Sequence, residues 1–137
     1  MRKQNERGVS AVELALIMPL LVIILFGIIE FGLILYNQQV ITNASREGAR
    51  KGILFSPPPL ERPTKEQIKT VVTNYTSGNL ITFKSGTTPS PDVPTGPCTA
   101  LGNDLTVTVD YQYTFLILDG FGFTGPLLKA RTTMRCE

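Results

Sequence analysis

The sequence predicts an α+β protein with two parts. A long N-terminal transmembrane helix continues into a stalk, and a small head follows, with one amphipathic helix on a three-stranded antiparallel sheet. Three observations favour this fold class: an apolar run near the N-terminus, a helical pattern after it, and alternating apolar and polar residues in the C-terminal half. The 137 residues leave room for one small domain, which excludes a multi-domain enzyme.

The transmembrane helix is predicted from the apolar run over residues 14–36. The run carries no charge up to Ile29, and it resumes after Glu30. As a helix it would be about 34 Å long, slightly more than the ~30 Å hydrocarbon core of a bilayer. Pro19 lies one turn into the run and removes a helix hydrogen bond, which predicts a local kink; the alternative is a proline that the membrane helix tolerates.

Orientation in the membrane follows from the cysteines rather than from the flanking charges. The flanking lysines and arginines are balanced: Arg2, Lys3 and Arg7 before the run, and Arg46, Arg50 and Lys51 after it. The positive-inside rule therefore does not decide the orientation. Cys98 and Cys136 lack a Cys-x-x-Cys partner, so we expect one disulfide rather than a zinc site. A disulfide persists outside the cytoplasm, which places the N-terminus inside and the head outside.

Two further helical stretches are predicted after the apolar run. Residues 37–52 continue the first helix as a stalk that stops at Gly52. A capping box formed by Thr64 and Gln67 begins a second helix over residues 64–75. The apolar face of this second helix consists of Ile68, Val71, Val72 and Tyr75.

Three strand candidates follow, at residues 79–84, 104–116 and 127–136. The second and third alternate apolar and polar residues, as in a half-buried antiparallel sheet. A sheet of so few strands needs a cover, and the helix over residues 64–75 is the only free candidate. The proline-rich segment 85–97 is expected to be a surface loop that contains no strand.

Composition argues against several classes of function. Histidine is absent, which removes Ser-His-Asp and Cys-His relays, imidazole bases and histidine zinc sites. The net charge of +2 is well short of the clustered basic surface that nucleic-acid binding needs. The glycines of residues 119–126 lack the strand-to-helix context of a nucleotide loop and indicate a turn between strands. We therefore expect no enzymatic activity, no cofactor or metal, no nucleic-acid partner and no small-molecule substrate.

The junction between a short basic leader and the apolar run is the most informative motif. The leader ends in Gly8, and Glu13 follows at the start of the run. A secretory signal has its small-residue cleavage site after the apolar region, whereas cutting at this glycine would keep the helix. A carboxylate in an apolar membrane helix costs up to about 2.5–3.5 kcal/mol on insertion scales, which favours a specific partner. The alternative is a snorkelling interfacial residue.

These residues resemble a known signal. Gly8, a glutamate at the fifth position after it and an apolar helix are similar to the class III signal of type IV pilins and pseudopilins. Residues 8–52, including the ASREGAR element at residues 44–50, resemble the conserved segment of TadE-like proteins of the tight-adherence (Flp) pilus system. The closing KARTTMRCE also resembles that family's C-terminal strand. The resemblance is close over the first 52 residues and covers the rest only in outline.

The resemblance implies cleavage by a prepilin peptidase between Gly8 and Val9. It implies three regions: a leader at residues 1–8, a transmembrane and stalk helix at residues 9–52, and an extracytoplasmic α+β head at residues 53–137. It also implies a non-enzymatic, minor pseudopilin that acts in assembling or anchoring a tight-adherence (Flp, type IVc) pilus, which serves cell adhesion. The alternatives are a major structural pilin subunit and a membrane-tethered extracellular binding module.

The expected partners are membrane lipid, the prepilin peptidase, other pilin or pseudopilin subunits and the pilus assembly platform. The expected location is the cell membrane, as a single-pass protein, with incorporation into the pilus as a further step. After processing, Glu13 stands four residues beyond Val9 and is expected to meet a positive charge in assembly. Glu30 follows nearly five turns later, so we expect it near the same face, paired with a neighbouring subunit. The alternative for Glu30 is a protonated or interfacial carboxyl group.

Overall fold

The computed structural model describes the backbone of residues 3–7 and both backbone and side chains of residues 8–54, 61–84 and 87–137. It confirms the predicted fold class, with a long apolar helix, a second helix and an antiparallel sheet. The elements in chain order are α1 (Lys3–Ile53), α2 (Lys65–Asn79), β1 (Ser90–Asp92), β2 (Asp104–Gln112), a short 3-10 helix (Leu118–Phe121) and β3 (Leu127–Arg135).

The chain divides into two compact units. The span unit comprises Met1–Leu33, and the head unit comprises Ile34–Glu137. Within the span unit α1 is helical through Pro19. The stretch Gly8–Ile53 is long and apolar enough to cross a membrane by its length and composition. This helix therefore suggests a single-pass membrane protein.

The sheet of the head unit has the order β1-β2-β3 in the described residues, and both pairs are antiparallel. The pairing of β2 with β3 runs from Asp104 opposite Arg135 to Gln112 opposite Leu127. The second strand candidate thus forms, but it ends at Gln112 rather than at residue 116. Beyond it the Tyr113 N–H still donates to the Pro126 carbonyl at 3.1 Å, but proline has no N–H to return, so the ladder stops there.

The first strand was predicted in the wrong place. Residues 80–84 form no strand, because their backbone meets a side chain of α1 instead of a neighbouring strand. The strand that forms is β1, which lies inside the proline-rich segment 85–97 that was expected to contain none. Pro91 is tolerated in β1 because this strand is at the edge of the sheet, where one side of the backbone needs no ladder partner.

The second helix forms as predicted and begins with a complete capping box. The Gln67 N–H donates to Thr64 Oγ1 at 3.3 Å, and the Thr64 N–H donates to Gln67 Oε1 at 2.9 Å. The helix extends to Asn79, one turn beyond its predicted end. Ile68 and Val72 are fully buried, whereas the other two residues of the predicted apolar face are partly exposed.

The expectation that only α2 covers the sheet is wrong, because the last part of α1 also packs against strand residues of the sheet. Its buried residues recur at helical spacing: Asn37, Val40, Ile41, Ala44, Ser45, Gly48, Ala49 and Gly52. A Cβ added at Gly48 would lie 2.5 Å from Val72 Cγ2, and one added at Gly52 would clash with the Leu105 side chain. Gly52 was predicted to stop the helix; α1 ends at Ile53, and this glycine is needed for close packing.

Candidate functional site

The N-terminal junction lies on the exposed surface of α1 in the span unit. Gly8 and Val9 are both exposed, and no atom lies within 4 Å of a Cβ placed at Gly8. Glu13 is also exposed, one turn after Val9 on the same helix. The three residues singled out by the sequence are therefore accessible along one short stretch.

The apolar surface of the span unit is exposed along its length. From Gly8 to Ile29 every residue of α1 is exposed. Side chains such as Leu16 and Ile23 are 75% and 68% exposed, values that a protein in water would not keep over so many consecutive turns. A helix satisfies its own backbone hydrogen bonds, so lipid or other apolar helices can cover this surface. The surface is thus suited to a bilayer or to pilin-type helices.

The two carboxylates of α1 have different surroundings. Glu13 is exposed, whereas Glu30 retains only 5% of its accessible surface. The expectation of a common face is wrong on helix geometry, because 17 residues at about 100° each fall roughly 100° short of five turns. Glu13 and Glu30 therefore point in different directions from the helix axis.

The two cysteines are joined by a disulfide in the head unit, with their Cα atoms 5.9 Å apart. Both cysteines are buried. Backbone hydrogen bonds hold the same corner, with the Gly102 N–H donating to the Cys136 carbonyl at 2.8 Å and the Cys136 N–H donating to the Asn103 carbonyl at 2.7 Å. The bond ties the segment after β1 to the end of β3.

Polar side chains of α1 form hydrogen bonds that hold the helix against the rest of the head unit. The sequence alone did not predict these contacts. Asn37 is fully buried; its Nδ2 donates to the Ile81 carbonyl at 2.8 Å, and its Oδ1 accepts from the Ile81 N–H at 3.0 Å. Ser45, also fully buried, lies 2.7 Å from the Thr132 hydroxyl. The available signal was their position, since both polar residues fall on the same helix face as Ile41.

One charge cluster lies on the surface of the head unit. Lys65 Nζ is 3.0 Å from the Asp92 carboxylate, and Lys69 Nζ is 3.8 Å from it, which ties α2 to β1. The hydrogen bond from Lys65, then the Val93 backbone N–H and the charges of both lysines, lower the pKa of Asp92 below its ordinary value. In the core, burial raises the pKa of Tyr111 above its ordinary value.

In the part of the chain that is described, no group of three or more Cys, Asp or Glu side chains is placed to hold a metal ion. The features that these residues do present are the exposed surface of α1, with Gly8 and Glu13 near its N-terminal end, and the folded head unit.

Comparison with known proteins identifies one segment. Residues 8–50 match the family model described as TadE-like protein. The resemblance is thereby confirmed over this segment, consistent with a TadE-like protein of the tight-adherence system, and it implies a role in that pilus system. Proteins of this family are generally non-enzymatic, and the match together with the apolar helix suggests the membrane and pilin-type proteins as partners. No curated protein and no solved structure matches the chain.

Proposed function

We propose that this chain, which carries the TadE-like segment, is a non-enzymatic minor pseudopilin that assembles or anchors a tight-adherence pilus. One observation supports this role above the others. The family match at residues 8–50 coincides with a helix whose apolar surface is exposed from Gly8 to Ile29 and which continues into a folded head unit. An apolar helix surface of this kind packs against other helices in a membrane or in a filament.

Processing is part of the proposal. A prepilin peptidase cuts between Gly8 and Val9, where the exposed glycine leaves room for a protease to approach. The intact mass of protein from membranes with an active peptidase should correspond to an N-terminus at Val9. Replacing Gly8 by leucine should leave the leader attached, and so should removal of the peptidase. A leader that stays on the native protein in the presence of active peptidase would contradict this step.

Glu13 gives assembly its register. A lone carboxylate is costly at the membrane edge, whereas a carboxylate that meets the α-amino group of Val9 on a neighbouring subunit is charge-paired. The exposure of Glu13 on α1 supports a contact outside its own chain. Docking thus offsets the cost of keeping this carboxylate in the membrane.

The test separates insertion from assembly. The variants Glu13→Gln and Glu13→Leu should be cleaved and inserted normally, or inserted better, while co-purification with pilin-like subunits and the amount of pili on cells should fall. Glu47→Gln is the matched control, because Glu47 is a carboxylate of the same helix that pairs with Arg50 at 3.6 Å within the head unit. Wild-type piliation and co-purification of Glu13→Leu would show that this carboxylate has no role in assembly.

The outward orientation of the head unit belongs to the same proposal. The disulfide between Cys98 and Cys136 supports it, since such bonds form and persist outside the cytoplasm. A protease added to intact cells or spheroplasts should remove the head unit, whereas a cytoplasmic head would be protected.

Abundance and helix exchange distinguish the minor role from its alternatives. A minor component should be scarce in sheared pili, and a major subunit should dominate them. Replacing residues 14–29 by an unrelated transmembrane sequence should abolish pilus assembly, because the proposed role uses the surface of this helix. A simple tether for an extracellular binding module would tolerate the exchange.

A further inference from the structure

The loop between β2 and β3 exposes large apolar side chains. Phe121 and Phe123 are 76% and 60% exposed, and Leu118 of the short 3-10 helix lies beside them in sequence with 39% exposed. Exposed apolar surface is unfavourable in water, so a loop that presents three large apolar side chains to solvent is expected to be covered by a partner. The loop therefore has the composition of a contact surface.

A second exposed apolar segment lies next to this loop. Ile81 and Phe83 are both exposed. The following residue, Lys84, reaches Asp119 of the 3-10 helix, with Nζ 3.8 Å from Oδ2. We refer to Ile81, Phe83, Leu118, Phe121 and Phe123 as the interfacial patch.

Within the head unit, the patch lies at the end where the α1 segment of this unit begins. Asn37 holds Ile81 by two hydrogen bonds, and the Tyr36 hydroxyl donates to the Asn79 carbonyl at 3.0 Å. The next residue, Gln38, donates to the carbonyl of Lys129 at 2.9 Å, near the start of β3. The patch is thus tied to the residues at which the apolar run ends and polar sequence begins.

The opposite end of the head unit is far from these residues along α1. There Gly52 packs against Leu105, and the disulfide joins Cys98 to Cys136. An isolated apolar side chain, Leu101, is 73% exposed at that end, beside Gly102, which bonds to Cys136. Gly52 lies fourteen positions after Gln38, which corresponds to about 21 Å along the helix, so the two ends of the head unit are well separated.

We propose that the interfacial patch binds lipid, at the boundary between head groups and acyl chains of the bilayer that α1 spans. The patch is continuous with the chain position at which the span ends, near Tyr36. Aromatic side chains favour this boundary, and amphipathic segments insert about 5–10 Å into it. Lys84 and Lys129 lie in the same region and can contact lipid phosphates. Lipid contact at this end holds the head unit against the membrane. The proposal depends on α1 spanning a bilayer, but it does not depend on the proposed role in the pilus.

Tryptophan fluorescence tests the proposal, because the chain contains no tryptophan. The full chain with Phe121→Trp is reconstituted at low density in vesicles of phosphatidylcholine and phosphatidylglycerol, with and without lipids brominated near the head group. The matched control is Leu101→Trp, an equally exposed position at the other end of the head unit. Phe123→Trp is a second reporter in the same patch.

The expected result is a blue-shifted emission for Phe121→Trp and Phe123→Trp that brominated lipid quenches by about half or more, while Leu101→Trp emits as in water and is not quenched. Water-like emission of both patch reporters would overturn the proposal. A blue shift without lipid quenching would also overturn it, because protein, such as a second copy of the chain, would then cover the patch. Equal quenching at all three positions would likewise overturn the proposal, because lipid contact would then not be specific to the interfacial patch. Normal piliation with an unquenched patch would leave the proposed function intact.

Discussion

The two parts of α1 have the same backbone structure but differ in the size and polarity of their side chains. In the span unit the exposed positions are large and apolar, such as Leu16 and Ile23. In the head unit the contact face consists mainly of small or polar side chains, such as Asn37, Ser45 and Gly48, with Val40 and Ile41 as its larger apolar members. Lipid adapts its shape to large side chains, whereas a folded protein surface is fixed and close-packed, so the helix must approach it with little volume. The size of the side chains therefore distinguishes the part of α1 that packs within the head unit from the part that is left exposed.

The largest effect on stability is expected from removing the disulfide, which stabilises the head unit alone. Its cysteines are 38 residues apart, and loop-closure entropy gives a ceiling of about 4 kcal/mol. The double variant Cys98→Ser, Cys136→Ser should lower the melting temperature of the head unit strongly while the helical signal of the span unit persists. Circular dichroism in detergent or vesicles measures both. Reduction of the native protein should reproduce the shift, and labelling of both cysteines without reductant in protein from the cell envelope would rule out the bond.

Glycine substitutions compare the two parts of α1 directly. Gly48→Leu should destabilise the head unit by about 1–3 kcal/mol, because a Cβ there would lie 2.5 Å from Val72 Cγ2 and overpack the core. Gly27→Leu is the matched control in the span unit, where nothing lies within 4 Å of an added Cβ. Thermal unfolding of the head unit should fall only for the first variant. Equal effects would break the distinction between the two parts.

The Asn37 contact provides a smaller test. Asn37→Ala should cost about 1–2 kcal/mol, since two hydrogen bonds to Ile81 are lost and water can reach that partly exposed segment. Asn43→Ala is the control, because Asn43 lies exposed on the same helix. Thermal unfolding measures the cost, and faster hydrogen exchange of the Ile81 amide should accompany it. Unchanged exchange at Ile81 would mean that this contact does not hold the segment.

The smallest expected effect is a loss of stability at acidic pH, through the carboxylate of Asp92. The pKa of Asp92 is lowered in the folded protein, so the stabilising contact of its carboxylate is fully present above the ordinary pKa of 3.8 and is lost as the pH falls through the lowered value. Lys65→Gln should raise the pKa of Asp92 towards its ordinary value. Titration followed by carboxyl NMR shifts measures this change. Lys129→Gln, which removes a cation 4.0 Å from Asp110, should leave the titration of Asp92 unchanged.

Local patterns predicted the elements that local physics determines. The capping box at Thr64 and Gln67 depends only on residues three apart, and it forms. The alternation in β2 likewise predicted its buried side, because neighbouring residues of a strand point to opposite faces. Gly8 and Glu13 were chosen by their spacing to the apolar run, which is also a local feature, and their roles remain predictions.

The remaining features depend on partners distant in sequence. Asn37 and Ile81 are 44 residues apart, and no local pattern shows that one side chain replaces a strand partner for the other. The same holds for β1, since Pro91 becomes part of a strand only because Val109 of β2 lies opposite it. The loop around Phe121 was interpreted as a simple turn; its exposure and neighbours emerge only from the folded head unit.

The edges of the sheet bear on how the protein behaves when many copies are crowded together. An open strand edge is a template for another chain, and long flat edges lead to aggregation. Here β1 has three residues and carries Pro91, while β3 presents the cations Lys129, Arg131 and Arg135. Short strands, proline and like charges all oppose the addition of a foreign strand. The head units can therefore be crowded together without polymerising through the edges of their sheets.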